Sequence, residues 1–266
     1  MNDIVVLVKA SLNPDMVRVG SDGSIDLASI PLKISDIDRN AVEEAVRLKE
    51  VLGGKLYAIS ILTWGPVASR MKDLKLAVQE ALAKGVDEAF VVADDSLTPG
   101  DQATTASAVK EVLSKEGIKP ALILAGEATI DEVTSQVPGR LAALLGYQYL
   151  SFVRKLELSG GKIIAERDLE DYIEVVEADL PAVISVTQEI NEPRPPTLLQ
   201  IRRASRKPIK ELRAGDLPGI QMPLRKILGI KGIQVTRKQV IIEGSSMEEI
   251  ADKLIDALIQ EGVLKI

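Results

Sequence analysis

Four short apolar runs alternate with four amphipathic helix patterns across the first 146 residues. The apolar runs are rich in Val, Ile, Leu and Ala, which is typical of buried strands. We predict these strands at Ile4–Val8, Leu56–Leu62, Ala89–Ala93 and Ala121–Ala125. We predict the helices at Asp38–Leu52, Ser69–Lys84, Asp101–Glu116 and Asp131–Leu145, and a glycine follows each of them. Such alternation predicts an α/β fold with a doubly wound parallel sheet and right-handed crossovers.

The composition restricts the chemistry that the chain can perform. Hydrophobic residues make up 46% and aromatic residues only 3%, a palette that suits parallel strands covered by helices. The sequence contains no Cys and no His, so disulfides, thiolate zinc sites and Ser-His-Asp hydrolysis are excluded. Carboxylate or lysine catalysis stays open on composition alone. We predict no catalytic residue and no metal site, and expect demanding chemistry to belong to a cofactor or partner.

Charge and hydropathy bear on the partners and the cellular location of the protein. The formal net charge of −6 argues against nucleic acid as a partner. No apolar run approaches the roughly 20 residues that span a bilayer, so we do not expect a transmembrane protein. The apolar run within the first nine residues is too short for a signal peptide, and no basic leader precedes it. A cytoplasmic location is therefore expected.

The pattern changes after residue 146. Leu150–Glu157 and Ile163–Asp168 flank Ser159-Gly160-Gly161, which predicts a hairpin. Two further strands are predicted at Tyr172–Ala178 and Ala182–Val186. We include this β-rich segment, residues 147–190, in an α/β nucleotide-binding domain that covers residues 1–190.

The remaining segment, residues 191–266, is predicted to be a C-terminal extended arm that packs on something else. Pro193, Pro195 and Pro196 forbid a regular helix or central strand near its start. Helical patterning returns only at the end, where Ser246 and Glu249 form a plausible capping box for a terminal helix.

A basic cluster lies within this arm. Its members are Arg202, Arg203, Arg206, Lys207, Lys210 and Arg213. The commonest interpretation of such a cluster is a solvated charged face, and the sharper alternative is a contact with a subunit or a flavin phosphate.

Ligands of open parallel sheets bind beyond the carboxyl ends of the strands. The loop after the fourth strand, residues 126–130, leads there into the helix predicted from Asp131. A helix start offers free backbone N–H groups that favour phosphate. Thr134, Ser135 and Gln136 add hydrogen-bonding side chains, and Gly126 permits close backbone approach. The alternative is that these residues only cap the helix.

Trp64 and two aspartates supply further candidates at the same edge. Trp64 is the only tryptophan, and it is either an apolar wall for an adenine or flavin ring or a partly buried surface residue. Asp36 and Asp38 either cap the first helix or bond a ribose. The sequence has neither a Gly-x-Gly-x-x-Gly after the first strand nor a Walker A motif, which disfavours a Rossmann dehydrogenase or a P-loop ATPase.

Three segments together resemble the β subunits of electron transfer flavoproteins. They are Ala41–Glu50, Glu166-Arg167 followed by Leu180–Ser185, and Asn191–Arg194 with Thr197-Leu198. One departure is Tyr172, where the family usually has Gly or an acidic residue. The resemblance implies an adenine nucleotide alpha hydrolase-like fold and a heterodimer. In that heterodimer an α subunit carries a redox-active FAD, and the β subunit holds an adenine nucleotide.

The resemblance also implies the roles of individual residues. It places around the nucleotide Leu7, Val8, Lys9, Ser35, Asp36, Ile37, Asp38, Trp64, Gly126, Glu127, Ala128, Thr129, Ile130, Asp131, Thr134, Ser135, Gln136 and Val137. Glu166 resembles a carboxylate that pairs with the α subunit, on which the arm would pack. Asn191, Glu192, Pro193 and Arg194 resemble a partner-recognition loop. Leu198 resembles the apolar anchor that docks into an acyl-CoA-type dehydrogenase or a quinone oxidoreductase.

The identity of the nucleotide is open between two forms of the family. In one form it is AMP and structural. In the other it is a second FAD that takes hydride from NADH and sends its electrons to different acceptors, a process called bifurcation. Thr134–Gly139 resembles the bifurcating form, which favours FAD, with AMP as the alternative. Two readings of another class are a stand-alone enzyme that adenylates or hydrolyses ATP and a nucleotide sensor without a redox role.

Overall fold

The computed structural model describes residues 2–233 and 238–265. These residues divide into two units. The first comprises residues 2–18 and 25–230, and the second comprises residues 19–24, 231–233 and 238–265.

Nine strands of the first unit form one sheet within the described residues. All the strands of this unit are β1 (Ile4–Leu7), β2 (Ala10–Leu12), β3 (Leu32–Ile34), β4 (Leu56–Ile61), β5 (Glu88–Val92), β6 (Leu122–Gly126), β7 (Gln148–Ser159), β8 (Lys162–Asp168), β9 (Ile173–Asp179), β10 (Ala182–Val186) and β11 (Ile209–Leu212). The order in the large sheet is β11-β5-β4-β1-β6-β10-β7-β8-β9, while β2 and β3 form a separate antiparallel ribbon. The pairs from β11 to β7 are parallel, and β7, β8 and β9 are antiparallel.

Helices cover both faces of the large sheet. The α-helices of the first unit are α1 (Asp36–Leu52), α2 (Val67–Lys84), α3 (Gln102–Glu116), α4 (Val137–Leu145) and α5 (Leu198–Ala204). Buried side chains of α1 and α2 share one apolar cluster with Ile4 and Val6 of β1. Buried side chains of α3 and α4 share a second cluster with Val5 and Leu7 of the same strand. Because successive side chains of a strand point to opposite faces, the two clusters lie on the two sides of the sheet, as a doubly wound fold requires.

Much of the predicted order of elements is confirmed. The four strand-helix units are present, and Gly160-Gly161 joins β7 and β8 as a hairpin. The strand predicted at Ala182–Val186 is also present, but it inserts between β6 and β7 in the parallel part of the sheet. Consequently the chain returns from the antiparallel strands β8 and β9 to the parallel part of the large sheet.

The helix predicted to begin at Asp131 is wrong in its start, because α4 begins at Val137. Val133 and Ser135 have φ angles of 46° and 52°, a left-handed conformation that a right-handed helix cannot contain. The segment from Glu127 to Gln136 is therefore an irregular loop. The N–H groups that we assigned to a helix start at residue 131 belong to this loop instead.

Two elements within residues 191–230 were not predicted. α5 begins after Thr197, whose side chain accepts from the backbone N–H of Gln200 in a capping box. β11 pairs in parallel with β5 and forms an edge of the large sheet. The prolines do keep residues 192–196 free of helix and strand, as expected.

The second unit contains the predicted terminal helix, α6 (Met247–Gln260). Ser246 accepts from the N–H of Glu249 as expected, but the Glu249 carboxylate accepts from the N–H of Ser245 rather than Ser246. Several apolar side chains of the helix, including Met247 and Leu254, are exposed. Among the described residues of the whole chain, none of the helices has the length and apolar character needed to cross a membrane.

Candidate functional site

A cavity opens at the carboxyl ends of β1, β4 and β6. It contains about 690 Å³ of space free of protein atoms, part of which is open to solvent. The lining residues are Leu7, Val8, Lys9, Asp38, Ile59, Ile61, Thr63, Asp101, Gln102, Thr105, Val109, Ala125, Gly126, Glu127, Ala128, Thr129, Glu132, Thr134, Ser135, Gln136, Val137 and Pro138. Its place agrees with the rule that open parallel sheets bind ligands beyond the carboxyl ends of their strands.

Asp38, in the first turn of α1, joins two neighbouring strand ends at the floor of this cavity. One carboxylate oxygen accepts from the N–H of Lys9 at 2.7 Å, just beyond β1. The other accepts from the N–H of Gly126 at 3.2 Å, at the end of β6. The side chain therefore satisfies backbone donors at the strand ends and does not cap α1, whose N-cap Ser35 makes no side-chain capping bond either.

Burial raises the pKa of Asp38 from 3.8 to about 7, and the two backbone N–H donors and the charge of Lys9 offset only part of this effect. The carboxyl group thus titrates near neutral pH. A protonated carboxyl group keeps one acceptor oxygen but turns the other into a donor, so protonation weakens one of the two backbone contacts.

Lys9 is the centre of a polar network above this floor. Its Nζ contacts the carboxylates of Asp131 at 2.9 Å and Glu132 at 2.6 Å. Asp131 also accepts from Trp64 Nε1 at 2.8 Å and from the N–H of Leu12 at 3.1 Å. Burial acts to raise the pKa of Asp131, but Lys9 and the donors Thr129 and Trp64 hold it below its usual value. Asp131 is therefore ionised, and it connects the segments that contain Lys9, Leu12 and Trp64.

Glu127 and Glu132 extend the acidic character of the lining. Burial, with a contribution from Glu189, raises the pKa of Glu127. Glu132 is shared between Lys9 and Arg225, whose Nη1 lies at 2.7 Å. Among the described lining residues, Lys9 is the single cation beside the carboxylates of Asp38, Asp101, Glu127 and Glu132. Because Lys9 is already paired with Asp131 and Glu132, no described lining residue offers an unpaired cation to a phosphate.

Neutral donors and apolar side chains make up most of the remaining lining. Gln102 and Thr105 come from the start of α3, and Thr134, Ser135 and Gln136 come from the loop before α4. The Thr63 hydroxyl is buried and lacks a hydrogen-bond partner among the described residues. Because unpaired buried polar atoms are rare, this hydroxyl is consistent with a ligand or water that completes the site. An adenine-containing nucleotide, with a planar ring and polar ribose and phosphate groups, fits such a mixed lining.

The predicted cofactor residues are divided by the structure into two sets. Leu7, Val8, Lys9, Asp38, the segment Gly126–Thr129 and the segment Thr134–Val137 line the cavity, whereas Ser35, Asp36, Ile37, Trp64, Ile130 and Asp131 lie outside its lining. Ser35 is buried, and Asp36 pairs with Lys33 and Arg39. Trp64 does not form a wall of the cavity, but its indole N–H holds Asp131.

Sequence reasoning missed several lining residues from β4 and α3, including Ile59, Gln102 and Thr105. Trp64 was identified as a candidate at this sheet edge. However, no motif singled out the first turn of α3, where Asp101 caps the helix by accepting from the N–H of Thr104. The signal that could have found it is the position of this N-cap, at the start of the helix that follows buried strand β5.

The predicted partner residues lie apart from the cavity lining. Glu166 of β8 pairs with Lys155 at 3.2 Å. Asn191 and Arg194 contact α1, and Leu198 is 82% exposed at the start of α5. In the basic cluster, Lys207 donates to the carbonyls of Leu82 and Val86, while Lys210 pairs with Glu116. The first three arginines of the cluster are exposed.

We expect the stability contribution of Asp38 to fall as the pH rises. Between pH 3.8 and about 7 the unfolded chain loses this proton while the folded chain keeps it, because burial raises the pKa. The unfolding free energy of the wild type relative to Asp38→Asn should therefore decline over this range, by on the order of a few kcal/mol. Urea denaturation from pH 4.5 to 7.5 measures it.

The exposed Asp15 provides a control for this experiment, since its side chain is 78% exposed. The difference between the wild type and Asp15→Asn should change little across the same range. A pH-independent difference for Asp38→Asn would contradict the raised pKa.

Val133 should tolerate glycine better than an equally exposed valine in a helix. A β-branched residue at φ 46° costs about 1 kcal/mol or more, and glycine relieves this strain. Val133→Gly is expected to leave the unfolding free energy unchanged or raised. Val51→Gly should lower it by about 0.5 kcal/mol, since glycine is a poorer helix former.

Val51 is a matched control, because it is 74% exposed in α1 and Val133 is 70% exposed. Thermal or urea unfolding of the two variants gives the comparison. If both substitutions destabilised the protein equally, the strain at Val133 would be refuted.

Comparisons with known proteins agree with this architecture. A family model described as the electron transfer flavoprotein domain matches residues 23–217. A protein named electron transfer flavoprotein subunit beta from Thermoanaerobacterium thermosaccharolyticum is 32% identical over 263 residues, covering 98% of this chain and 95% of the relative.

Two further relatives carry the same name. The protein of Mycobacterium bovis is 34% identical over 222 residues, which cover 82% of this chain and 81% of the relative. The protein of Bacillus subtilis is 32% identical over 216 residues, which cover 81% and 80% respectively. The match to the family model and the coverage of 80% or more of each of these relatives lead to one conclusion: the chain belongs to the electron transfer flavoprotein family, among its beta subunits.

Proposed function

We propose that this chain is the nucleotide-holding subunit of a heterodimeric electron transfer flavoprotein, and that it binds FAD in the cavity at the sheet edge. Its partner would be an α subunit with its own FAD, through which electrons pass to an acyl-CoA-type dehydrogenase or a quinone oxidoreductase. The observation that carries the proposal is the cavity beyond β1, β4 and β6, where apolar walls face neutral hydrogen-bond donors.

The chain's own residues account for how a nucleotide would be held. Leu7, Ile59 and Val109 provide apolar surface for a planar ring. Thr134, Ser135 and Gln136 provide neutral donors for phosphate and ribose oxygens. Neutral donors suit this place, because Lys9 is already paired with Asp131 and Glu132 and because four carboxylates line the cavity.

The choice of FAD over AMP rests on the loop before α4. Val137 carries no hydroxyl for a terminal phosphate, and Thr134–Gly139 resembles the loop of the bifurcating members. A bound flavin would supply the redox chemistry, including acceptance of hydride from NADH. The protein would contribute binding, orientation and exclusion of water. AMP with a structural role is the alternative occupant.

Cofactor analysis of the co-expressed complex tests the proposal. We expect a yellow heterodimer that releases two FAD per dimer. Release of one FAD and one AMP per dimer would instead support an electron carrier that does not bifurcate. A colourless complex would overturn the redox role altogether, and ATP turnover by the isolated chain would favour the stand-alone enzyme.

We expect Gln136→Ala to lower the nucleotide content of the purified complex, since Gln136 lines the cavity. Truncation removes an amide that could bond the ligand and also an acceptor for Arg140, whose Nη2 lies at 2.9 Å. Gln79→Ala, on α2 and away from the cavity lining, is the control and should leave the content unchanged. Unchanged occupancy in both variants would remove Gln136 from the binding site.

Leu198→Ala should weaken electron delivery to the partner dehydrogenase and leave the nucleotide content unchanged. An 82% exposed leucine contributes little to folding, but it can become fully buried in a partner's pocket. We expect the KM for the partner to rise about tenfold, the result of losing a buried leucine contact. Leu76→Ala is the control, because Leu76 is 54% exposed on α2. Parallel loss of nucleotide and activity would indicate misfolding instead.

A further inference from the structure

We propose that three polar residues on the buried side of α1, Asn40, Glu43 and Glu44, position the docking loop. We define the docking loop as residues 188–197, the segment that leads to Leu198. The inference rests on the proposed docking role of Leu198 for its functional consequence, but the anchoring itself can be measured without a partner.

Asn40 and Asn191 form a reciprocal pair between α1 and the docking loop. The Asn40 side-chain amide donates to the backbone carbonyls of Gln188 at 3.1 Å and Asn191 at 2.7 Å. In return, the Asn191 side-chain amide donates to the Asn40 carbonyl and to Glu44 Oε2, both at 3.1 Å. The Asn40 amide also donates to Asn191 Oδ1 at 3.4 Å, so five hydrogen bonds connect one helical turn with the start of the loop.

Glu43 holds the loop one step further along. Its Oε1 accepts from Arg194 Nε at 2.6 Å, and its Oε2 accepts from the backbone N–H of Arg194 at 3.2 Å. Lys84 of α2 donates to the Arg194 carbonyl at 2.7 Å. The side chain and the backbone N–H of Arg194 are therefore bound by α1, and its carbonyl is bound by α2.

The burial of these helix residues supports an anchoring role. Asn40, Glu43 and Glu44 are 6%, 2% and 7% exposed. Buried carboxylates carry a large desolvation cost unless they are paired. Burial raises the pKa of Glu44, and the hydrogen bond from Asn191 counteracts this effect. Arg47 of the same helix also pairs with Glu43 at 3.2 Å and with Glu44 at 3.8 Å. The docking loop supplies further partners, because Arg194 binds Glu43 at 2.6 Å and the Asn191 amide binds Glu44 at 3.1 Å.

The geometry transmits the anchoring to Leu198. Pro195 and Pro196 restrict the backbone directly after Arg194, and the Thr197–Gln200 capping box fixes the start of α5. Consequently few rotatable backbone bonds separate the last anchored residue from the exposed leucine. Presenting an anchor in one conformation lowers the entropy cost of docking.

The test uses the α-subunit complex with Asn191→Ala and Arg194→Ala, which change the loop and leave α1 intact. Hydrogen exchange monitors the amides of the docking loop, and steady-state assays give the KM for the partner dehydrogenase and the turnover at saturation. We expect about tenfold faster exchange in the loop and about tenfold higher KM, as for the loss of a buried hydrogen bond. Turnover at saturation and nucleotide content should stay unchanged.

Arg39→Ala is the matched control. Arg39 also lies on α1 and makes an ion pair of the same length, 2.6 Å between its Nε and Glu80, but it does not contact the docking loop. Loop exchange and KM should both equal the wild-type values in this variant. Asn40→Ala combined with Asn191→Ala should increase exchange by less than the product of the two single effects, because the two residues share part of their hydrogen bonds.

The possible outcomes separate the two claims. Unchanged loop exchange in both loop variants would overturn the anchoring. The loop variants could also show faster exchange with an unchanged KM while Leu198→Ala raises the KM. That result would overturn the claim that the anchoring positions Leu198 for docking. If Leu198→Ala leaves the KM unchanged while loop exchange increases, the anchoring stands and the docking role of Leu198 fails.

Discussion

The contact of Asp38 with the ends of β1 and β6 is the constraint on which the candidate site depends. A parallel sheet leaves backbone N–H groups at its carboxyl edge that its own strands do not satisfy, and buried donors of this kind require partners. Asp38 provides two acceptor oxygens from the first turn of α1. Because the carboxylate accepts from both N–H groups, these donors at the floor of the cavity are satisfied without a ligand.

The same helix serves a second purpose about one turn further on. Asn40, Glu43 and Glu44 direct polar atoms at the docking loop, while Ala41 and Val42 pack into the apolar core. The segment Ala41–Glu50, which carries part of the family resemblance, therefore combines core packing with loop support. This double use explains why two adjacent glutamates occur in the buried part of a helix, where a simple amphipathic pattern would place apolar residues.

The alternation of strands and helices could be predicted because periodicity and glycine stops are local properties. The start of α4 could not, since the left-handed angles at Val133 and Ser135 depend on tertiary contacts of the preceding loop. Among these, Asp131 is held by Lys9 and Trp64, which are distant in sequence. β11 was missed for a related reason. It has only four residues, and its place in the sheet is decided by its pairing with β5.

Roles within the site were harder to predict than the location of the site. Trp64 was interpreted as a wall for a ring or as a partly buried surface residue, and the structure shows it partly buried with its indole N–H on Asp131. Asp38 was interpreted as a helix cap or a ribose ligand, and it accepts from backbone N–H groups at the sheet edge instead of capping α1. Residue type limits the chemistry of a side chain, whereas its partner is set by the three-dimensional arrangement. Gln102 and Thr105 show the converse, because ordinary helix residues become cavity residues through the position of α3 alone.

Gly126 illustrates how one of these contacts constrains the sequence. We expected a glycine there to admit a phosphate close to the backbone. In the structure, a Cβ atom at this position would lie 2.7 Å from Asp38 Oδ1 and 3.0 Å from Ile37 Cγ2. The glycine is thus required by the approach of α1, whether or not a ligand is bound. Asp38 and Gly126 form a matched pair, since the carboxylate can reach the backbone N–H only where the side chain is absent. A larger residue would force the side chains of Asp38 and Ile37 to shift, and it would thereby disturb the contact of Asp38 with the end of β6.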